Sequence, residues 1–170
     1  ISKIKNSQKL NIGFIANFSY RKNPFIFLEF CEKFLNKKQF KNFFLSGHDY
    51  INFKKSIFRS RAYKLNKLKY LGFVDPQNFF KNVDLIIITS ENEPFGRTLL
   101  ESLFHGVLPI VFSSGAHTEI LKLNDNLLYK NNHINNIYDT IQSIQNINID
   151  EFHFSLKKTF KEFLFFDHYI

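Results

Sequence analysis

The sequence contains no methionine and no tryptophan, and a single cysteine among its 170 residues. Without methionine no natural start is represented, and we expect a fragment whose activity draws on a second half. One cysteine excludes an internal disulfide. Cys31 sits in "FLEFCEKFL", where Phe27, Phe30, Cys31 and Phe34 follow a helical period, so it is expected to be a core thiol in a reducing compartment. Long apolar runs are missing as well. Lys, Asn, Asp or Glu interrupts each one far short of the roughly 20 residues that span a bilayer. The opening "ISKIKNSQKL" is basic and polar with no apolar stretch behind it, so no secretory leader is expected. The expected location is cytoplasmic. Several catalytic motifs are also absent: the six histidines show no H-E-x-x-H spacing, and there is no nucleophile elbow and no Walker glycine-lysine loop. His105 and His117 fall near the loops discussed below, where they read as polar surface histidines.

What is present suits one soluble domain over residues 1–170, with an ordinary 44% of hydrophobic residues. The net charge is +8, but the basic residues are spread singly or in pairs along the chain. That is a weak footprint for nucleic acid, and no nucleic-acid module accompanies it. No nucleic-acid partner is expected; plain solubility, or a peripheral position on the inner face of the membrane against anionic headgroups, fits the charge better.

Punctuation divides the chain into alternating segments. Short apolar strands are expected at "LNIGFIA" (10–16), "NFFLSG" (42–47), "LKYLGFV" (68–74), "VDLIIIT" (83–89) and "VLPIVF" (107–112). Helices are expected between them: from Phe25 to Leu35, over "YINFKKSIFRSRAY", over "DPQNFFKN" with Asp75 as cap and Pro76 in the first turn, and over "FGRTLLESLFHG" closed by Gly106. "NDNLLYKNNHINN" reads as loop with one short strand, followed by the helix "IYDTIQSIQN" and a Phe-rich helix over 150–170. This alternation predicts an α/β fold, a parallel sheet with helices on both faces. Its strand order is not readable. Ligands of such sheets gather beyond the carboxyl ends of the strands, here the loops "NFSYRKN", "SGHD", "GFVDP", "SENEPFG" and "SSGAH".

One of these loops carries unusual chemistry. "SENEPFGRTLLES" places Glu93 and Glu101 eight positions apart around Pro94, Phe95, Gly96 and Arg97. Pro94 biases Glu93 away from helical angles, and a helix beginning at or just after it leaves free N–H groups near Phe95 and Gly96. Such an end attracts phosphate. A carboxylate there accepts hydrogen bonds from hydroxyls, and Glu101 lies roughly 10 Å further along the helix. Two acceptors at that separation suit a long polyhydroxylated ligand such as a sugar and a ribose joined by a diphosphate. Arg21 and Lys22 supply the positive charge a diphosphate needs. A plainer reading stays open. Glu91 and Glu93 complement a solvated helix dipole in it, Arg97 and Glu101 form a surface pair at i and i+4, and Lys22 is simply solvated.

The stretch "YLGFVDPQNFFKNVDLIIITSENEPFGRTLLESLFHGVLPIVFSSGAHTEIL" (70–121), with "IGFIANFSYRKNP" upstream, resembles the C-terminal, nucleotide-binding half of glycosyltransferases with two facing Rossmann-like domains, the GT-B fold, and specifically family 4, the glycosyl transferases group 1. The E-x7-E helix and the closing Gly-x-x-x-Glu are its most specific features. The resemblance implies that Glu93 contacts the donor sugar near its anomeric carbon, that Glu101 binds the ribose, and that Pro94, Phe95, Gly96 and Arg97 offer backbone amides to sugar and phosphate. It implies further that Lys22, with Arg21, faces the diphosphate, and that Phe73 and Val74 hold the base through backbone groups. Where many members carry Gly-Arg at the end of the first strand this chain has Ala16 and Asn17, and at a later Gly-Gly it has Gly115 and Ala116.

By that resemblance the chain is expected to be the donor-binding domain of a retaining glycosyltransferase that moves a sugar, hexosyl or N-acetylhexosaminyl, from a nucleoside diphosphate, most simply UDP, to a lipid-linked or saccharide acceptor. The acceptor domain would be a missing N-terminal half, and the 150–170 helix would cross back to it. No metal or other cofactor is implied, because cationic side chains and helix ends take the metal's part and no D-x-D pair occurs. The Phe-, Asn- and Lys-rich composition resembles enzymes of bacterial surface polysaccharide (O-antigen or capsule) assembly. Two rivals are kept: a non-enzymatic α/β interaction module, and a GT-B epimerase or sugar-phosphate synthase.

Overall fold

The computed structural model describes residues 9–122, 124–131 and 133–144. Among these residues six strands and seven helices follow in order: β1 Leu10–Ile15, α1 Pro24–Phe34, β2 Phe40–Ser46, α2 Lys54–Arg59, α3 Arg61–Lys64, β3 Leu68–Tyr70, α4 Pro76–Phe80, β4 Leu85–Ile88, α5 Arg97–Phe104, β5 Leu108–Phe112, α6 Ala116–Ile120, β6 Leu128–Tyr129 and α7 Ile134–Ile144. A 3-10 turn over Asp125–Leu127 leads into β6. The strands form one sheet in the order β3-β2-β1-β4-β5-β6, and each neighbouring pair is parallel. The chain therefore winds outward in one direction from β1 and in the other from β4. Right-handed crossovers taken in opposite directions put the connecting helices on opposite faces, and the order reverses between β1 and β4. This is the expected α/β, Rossmann-like architecture.

The burial follows from that layering. All four residues of β4, Leu85 to Ile88, are buried, as a central strand covered on both faces requires. Helix α1 lays Phe27, Leu28, Phe30, Cys31 and Phe34 against the sheet, and the Phe30 ring meets Phe34, Phe40 and Phe43. Cys31 is fully buried in this layer, and burial pushes its thiol pKa up, with the Glu32 charge adding to the rise. It is the core thiol the periodicity predicts. Asp75 caps α4 by accepting from the Gln77 amide at 2.9 Å, with Pro76 in the first turn.

Several elements differ from the sequence reading, which expects no helix over 116–120 and starts α7 three residues late. Strand β3 stops at Tyr70, not Val74: Leu71 N–H still donates to Leu45 (2.9 Å), but Gly72 then turns the chain at φ 68°, and Phe73 and Val74 lie in a loop. The single helix expected over 50–63 is two. The Asp49 carboxylate engages the amides of Ile51, Phe53 and Lys54 and so delays its start. Ser60, extended at ψ 146°, breaks it and caps α3 by accepting from Tyr63 N–H. The helix expected over 150–170 lies outside the described residues.

Gly13, on β1, is closely packed. A Cβ there would stand 2.8 Å from Val83 Cγ1 and 2.9 Å from Phe79 Cε1. Gly13→Ala is therefore expected to destabilise the fold by about 1–3 kcal/mol through overpacking, read as a lower urea midpoint at unchanged slope. An unchanged midpoint would show that the Phe79 and Val83 side chains give way freely.

Candidate functional site

The strand-order reversal places the loop after β1 (residues 16–23) beside the loop after β4 (89–96), and specific bonds sew them together. Thr89, fully buried at the end of β4, sets its Oγ1 2.6 Å from the Lys22 carbonyl and 2.9 Å from that of Asn23. Glu91 N–H donates to the Arg21 carbonyl at 3.2 Å. The first loop folds into a turn, with Lys22 N–H on the Ser19 carbonyl (3.1 Å), and enters α1 through left-handed Asn23 ahead of Pro24. The outcome is an ion cluster. Lys22 Nζ donates to Glu93 Oε2 at 2.5 Å, and Arg21 Nη1 lies 3.8 Å from the same oxygen. The other oxygen, Oε1, takes no hydrogen bond among the described residues.

A third loop grips Glu93 from behind. Ala116 N–H donates to the Glu93 carbonyl at 2.9 Å, and Asn92 N–H to Ser114 Oγ at 2.8 Å. Gly115 sits at φ 59°, and a Cβ on it would fall 2.4 Å from the Glu93 carbonyl oxygen, so a side chain is excluded there on both grounds. The Glu93 side chain is only 10% exposed. Burial by itself would raise its pKa, but the Lys22 hydrogen bond and charge, with further help from Arg21 and His117, hold the carboxyl below its ordinary range. Glu93 is thus a carboxylate at neutral pH, and Lys22 is not the free solvated side chain of the plainer reading.

Helix α5 starts later than the proline suggests. Gly96 is its N-cap, left-handed at φ 73°, so the first helical residue is Arg97, three positions after Pro94. The amides without an intrahelical acceptor are those of Arg97, Thr98 and Leu99. Pro94 and Phe95 are exposed on the loop. Gly96 is pressed close, since a Cβ there would meet Ile120 Cδ1 at 2.7 Å and His117 Cδ2 at 3.5 Å. One turn on, Arg97 Nε pairs with Glu101 Oε1 at 3.4 Å, the i, i+4 contact the plainer reading anticipates, with the Glu101 side chain 35% exposed.

The remaining candidates stand apart from this cluster. Asn17 is exposed and its side chain makes no hydrogen bond among the described residues. Phe73 is 62% exposed and stacks on His48, ring centroids 4.2 Å apart. Val74 N–H is taken by Ser46 Oγ at 3.3 Å, and that hydroxyl also donates to the Gly72 carbonyl. Ser46 and His48, at the end of β2, shape this loop, and the sequence reading did not single them out. It missed Thr89 too, although a threonine closing the apolar run "LIII" was a visible sign.

His117 corrects an expectation. It is no surface histidine but 1% exposed, with Nδ1 3.1 Å from the Phe112 carbonyl. Burial pushes its pKa below the ordinary histidine value, against the opposing pull of the Phe112 contact and of Glu93. His105 is half-buried and stacks on Phe80. Among the described residues no three His, Cys, Asp or Glu are grouped to hold a metal ion, and no helix is long and apolar enough to cross a membrane.

Comparison with known proteins adds three kinds of likeness. The family model described as "Glycosyl transferases group 1" matches residues 2–161. An uncharacterised 42.6 kDa protein in the cps region of Klebsiella pneumoniae is 28% identical over 120 residues, covering 69% of this chain and 30% of that protein. A TarM mutant from Staphylococcus aureus, solved with fondaparinux, alpha-GlcNAc-glycerol and UDP, superposes with a TM-score of 0.75 at 21% identity, over 91% of this chain and 33% of that one. HepE of Anabaena, solved with UDP and glucose, gives 0.66 at 19% identity, over 83% and 40%. At these identities the structural likeness shows the fold. The chain spans about a third of the length of the curated relatives it matches.

The Lys22–Glu93 contact makes a testable statement about acid. Because the folded Glu93 pKa is depressed, its contribution to stability is present above the ordinary carboxylate range and is lost as pH falls through the folded value. Lys22→Met should cost about 1.5–3 kcal/mol at neutral pH, the worth of a hydrogen bond to a charged group. It should also flatten the loss of stability below about pH 5, because burial alone then favours the protonated acid. Melting curves of both proteins across that range decide it; parallel pH profiles would mean that the contact does not form.

Proposed function

The chain belongs to the glycosyl transferases group 1 family, and from that premise we propose that it is the donor-binding half of a retaining glycosyltransferase that passes a sugar from a nucleoside diphosphate, most simply UDP, to a lipid-linked or saccharide acceptor. The observation that carries this is the cluster of Arg21, Lys22 and Glu93 at the open N-terminus of α5, on the edge where the strand order reverses. That edge is where open α/β sheets bind nucleotides. Two cations and the amide end of α5 complement a diphosphate, and they oppose the negative charge that builds on it as it departs. On this reading they take the part that a divalent metal plays elsewhere, and no cofactor is needed.

Each acid has a separate part. Lys22 keeps Glu93 ionised, and its unbonded Oε1 is an acceptor for hydroxyls of the transferred sugar. Glu101, further along α5, receives the ribose hydroxyls and fixes the register of the donor. Phe73 and Val74, on the edge loop beyond β3, are assigned to the base; with the Val74 amide engaged by Ser46, the carbonyls and the Phe73 amide are left for it. UDP in the TarM and HepE structures supports the choice of nucleotide. The Klebsiella relative's place in a cps region supports a role in surface polysaccharide assembly, with O-antigen or capsule as the product class. The acceptor site, and the domain that completes the crevice, are assigned to an N-terminal half of the same protein. A peripheral approach to the cytoplasmic membrane face suits the net charge of +8 and a lipid-linked acceptor.

Calorimetric titration of the full-length enzyme with UDP, GDP and ADP tests the reading, with selective saturable binding of UDP expected. Glu101→Ala should weaken UDP by about tenfold or more. Its melting temperature should barely move, since an exposed i, i+4 pair contributes only about 0.3–0.5 kcal/mol. Unchanged binding with a large loss of stability would return Glu101 to a structural role. Absence of binding to any of the three nucleotides would favour the interaction-module reading.

A further inference from the structure

Resting on the donor-binding reading, we propose that His117 is a hydrogen-bond acceptor for a hydroxyl of the transferred sugar, and thereby a determinant of which sugar the site takes. The argument begins with its proton. The Phe112 carbonyl, 3.1 Å from Nδ1, can only accept, so Nδ1 carries the hydrogen and Nε2 is left with a lone pair. No described group donates to Nε2. A side chain that is 1% exposed thus holds a ring nitrogen free to accept a hydrogen bond.

The ring lies against the N-cap of α5, where a Cβ on Gly96 would lie 3.5 Å from Cδ2, the ring atom bonded to Nε2. Of the charged groups that bear on the ring, Glu93 draws its pKa up, while Lys22 adds to burial in pushing it down. The net effect leaves the imidazole neutral and the acceptor intact at neutral pH. A phosphate oxygen does not answer it, being itself an acceptor. The matching group is a donor, and Glu93 Oε1 beside the same helix end is a second acceptor in want of one. Two neighbouring acceptors call for a ligand with several hydroxyls. The bond from Nδ1 to the Phe112 carbonyl accounts for one ring nitrogen and leaves the other for a ligand.

The test measures affinities of the full-length enzyme for UDP, UDP-glucose, UDP-galactose and UDP-N-acetylglucosamine, in wild type, His117→Leu and His117→Gln. Glutamine keeps a polar terminus near the position of Nε2. The expected result is that at least one UDP-sugar binds the wild type more tightly than UDP does, and that His117→Leu weakens it by about tenfold while leaving UDP nearly unchanged. His117→Gln should recover most of the loss, and it serves alone if the leucine variant fails to fold. Equal changes for UDP and the UDP-sugars, or no change in either, overturn the assignment, as does a wild type that gains nothing from any of the sugars. A wild type that binds no UDP compound overturns the assignment, and one that refuses GDP and ADP as well overturns the donor-binding reading with it.

Discussion

A carboxylate that is nearly buried has to be given a positive partner, and at this sheet edge that requirement ties three separate loops into one object. Glu93 stands at the end of β4, and its counter-charge comes from Lys22, 71 residues earlier, at the end of β1. The two meet because the strand order reverses between β1 and β4, which makes their carboxyl ends neighbours. Thr89 holds the backbone of Lys22 and Asn23, and the loop after β5 holds the backbone of Glu93. A local contact could not do this. The ion cluster exists only in the assembled sheet, so fold and site are specified by the same bonds.

The sheet's elements were legible because burial on both faces leaves an uninterrupted apolar mark. "LIII" in β4 and "LPIVF" in β5 need no long-range information, and Asp75 with Pro76 announces a helix start by local chemistry. What the sequence could not carry was order and depth. Nothing in "LNIGFI" says that it pairs with β4 as well as β2, and so nothing placed Lys22 against Glu93. His117 was misread for the same reason: a polar residue in "SSGAHTEIL" looks solvent-facing until α6 is folded against the start of α5. Boundaries failed where a side chain outbid the pattern. Asp49 gathered three amides and shortened one helix, and Ser60 split it.

The late start of α5 shows how a glycine and a proline divide their work. Pro94 turns the chain out of β4, but it is Gly96, in the left-handed region and pressed against Ile120 and His117, that sets where the helix begins. The two intervening residues, Pro94 and Phe95, stand exposed over the crevice. The first free amides are accordingly those of Arg97 onward, and the positive end of the helix dipole begins there.

The departure at Ala16 and Asn17 bears on how positive charge reaches the site. A Cβ on Gly47 would lie 1.7 Å from the Ala16 carbonyl, so the chain passes close to β2 there and goes on to an exposed asparagine. The arginine that the resemblance leads one to expect at the start of this loop is absent. Positive charge enters at the loop's far end instead, where Arg21 keeps half of its side chain in solvent, with Nη1 3.8 Å from Glu93. That separation is long for a committed pair. A weakly held guanidinium beside a tightly held ammonium divides the labour: Lys22 maintains the charge state of Glu93, while Arg21 keeps its planar donors free, which under the proposed function is the freedom to turn them onto a diphosphate.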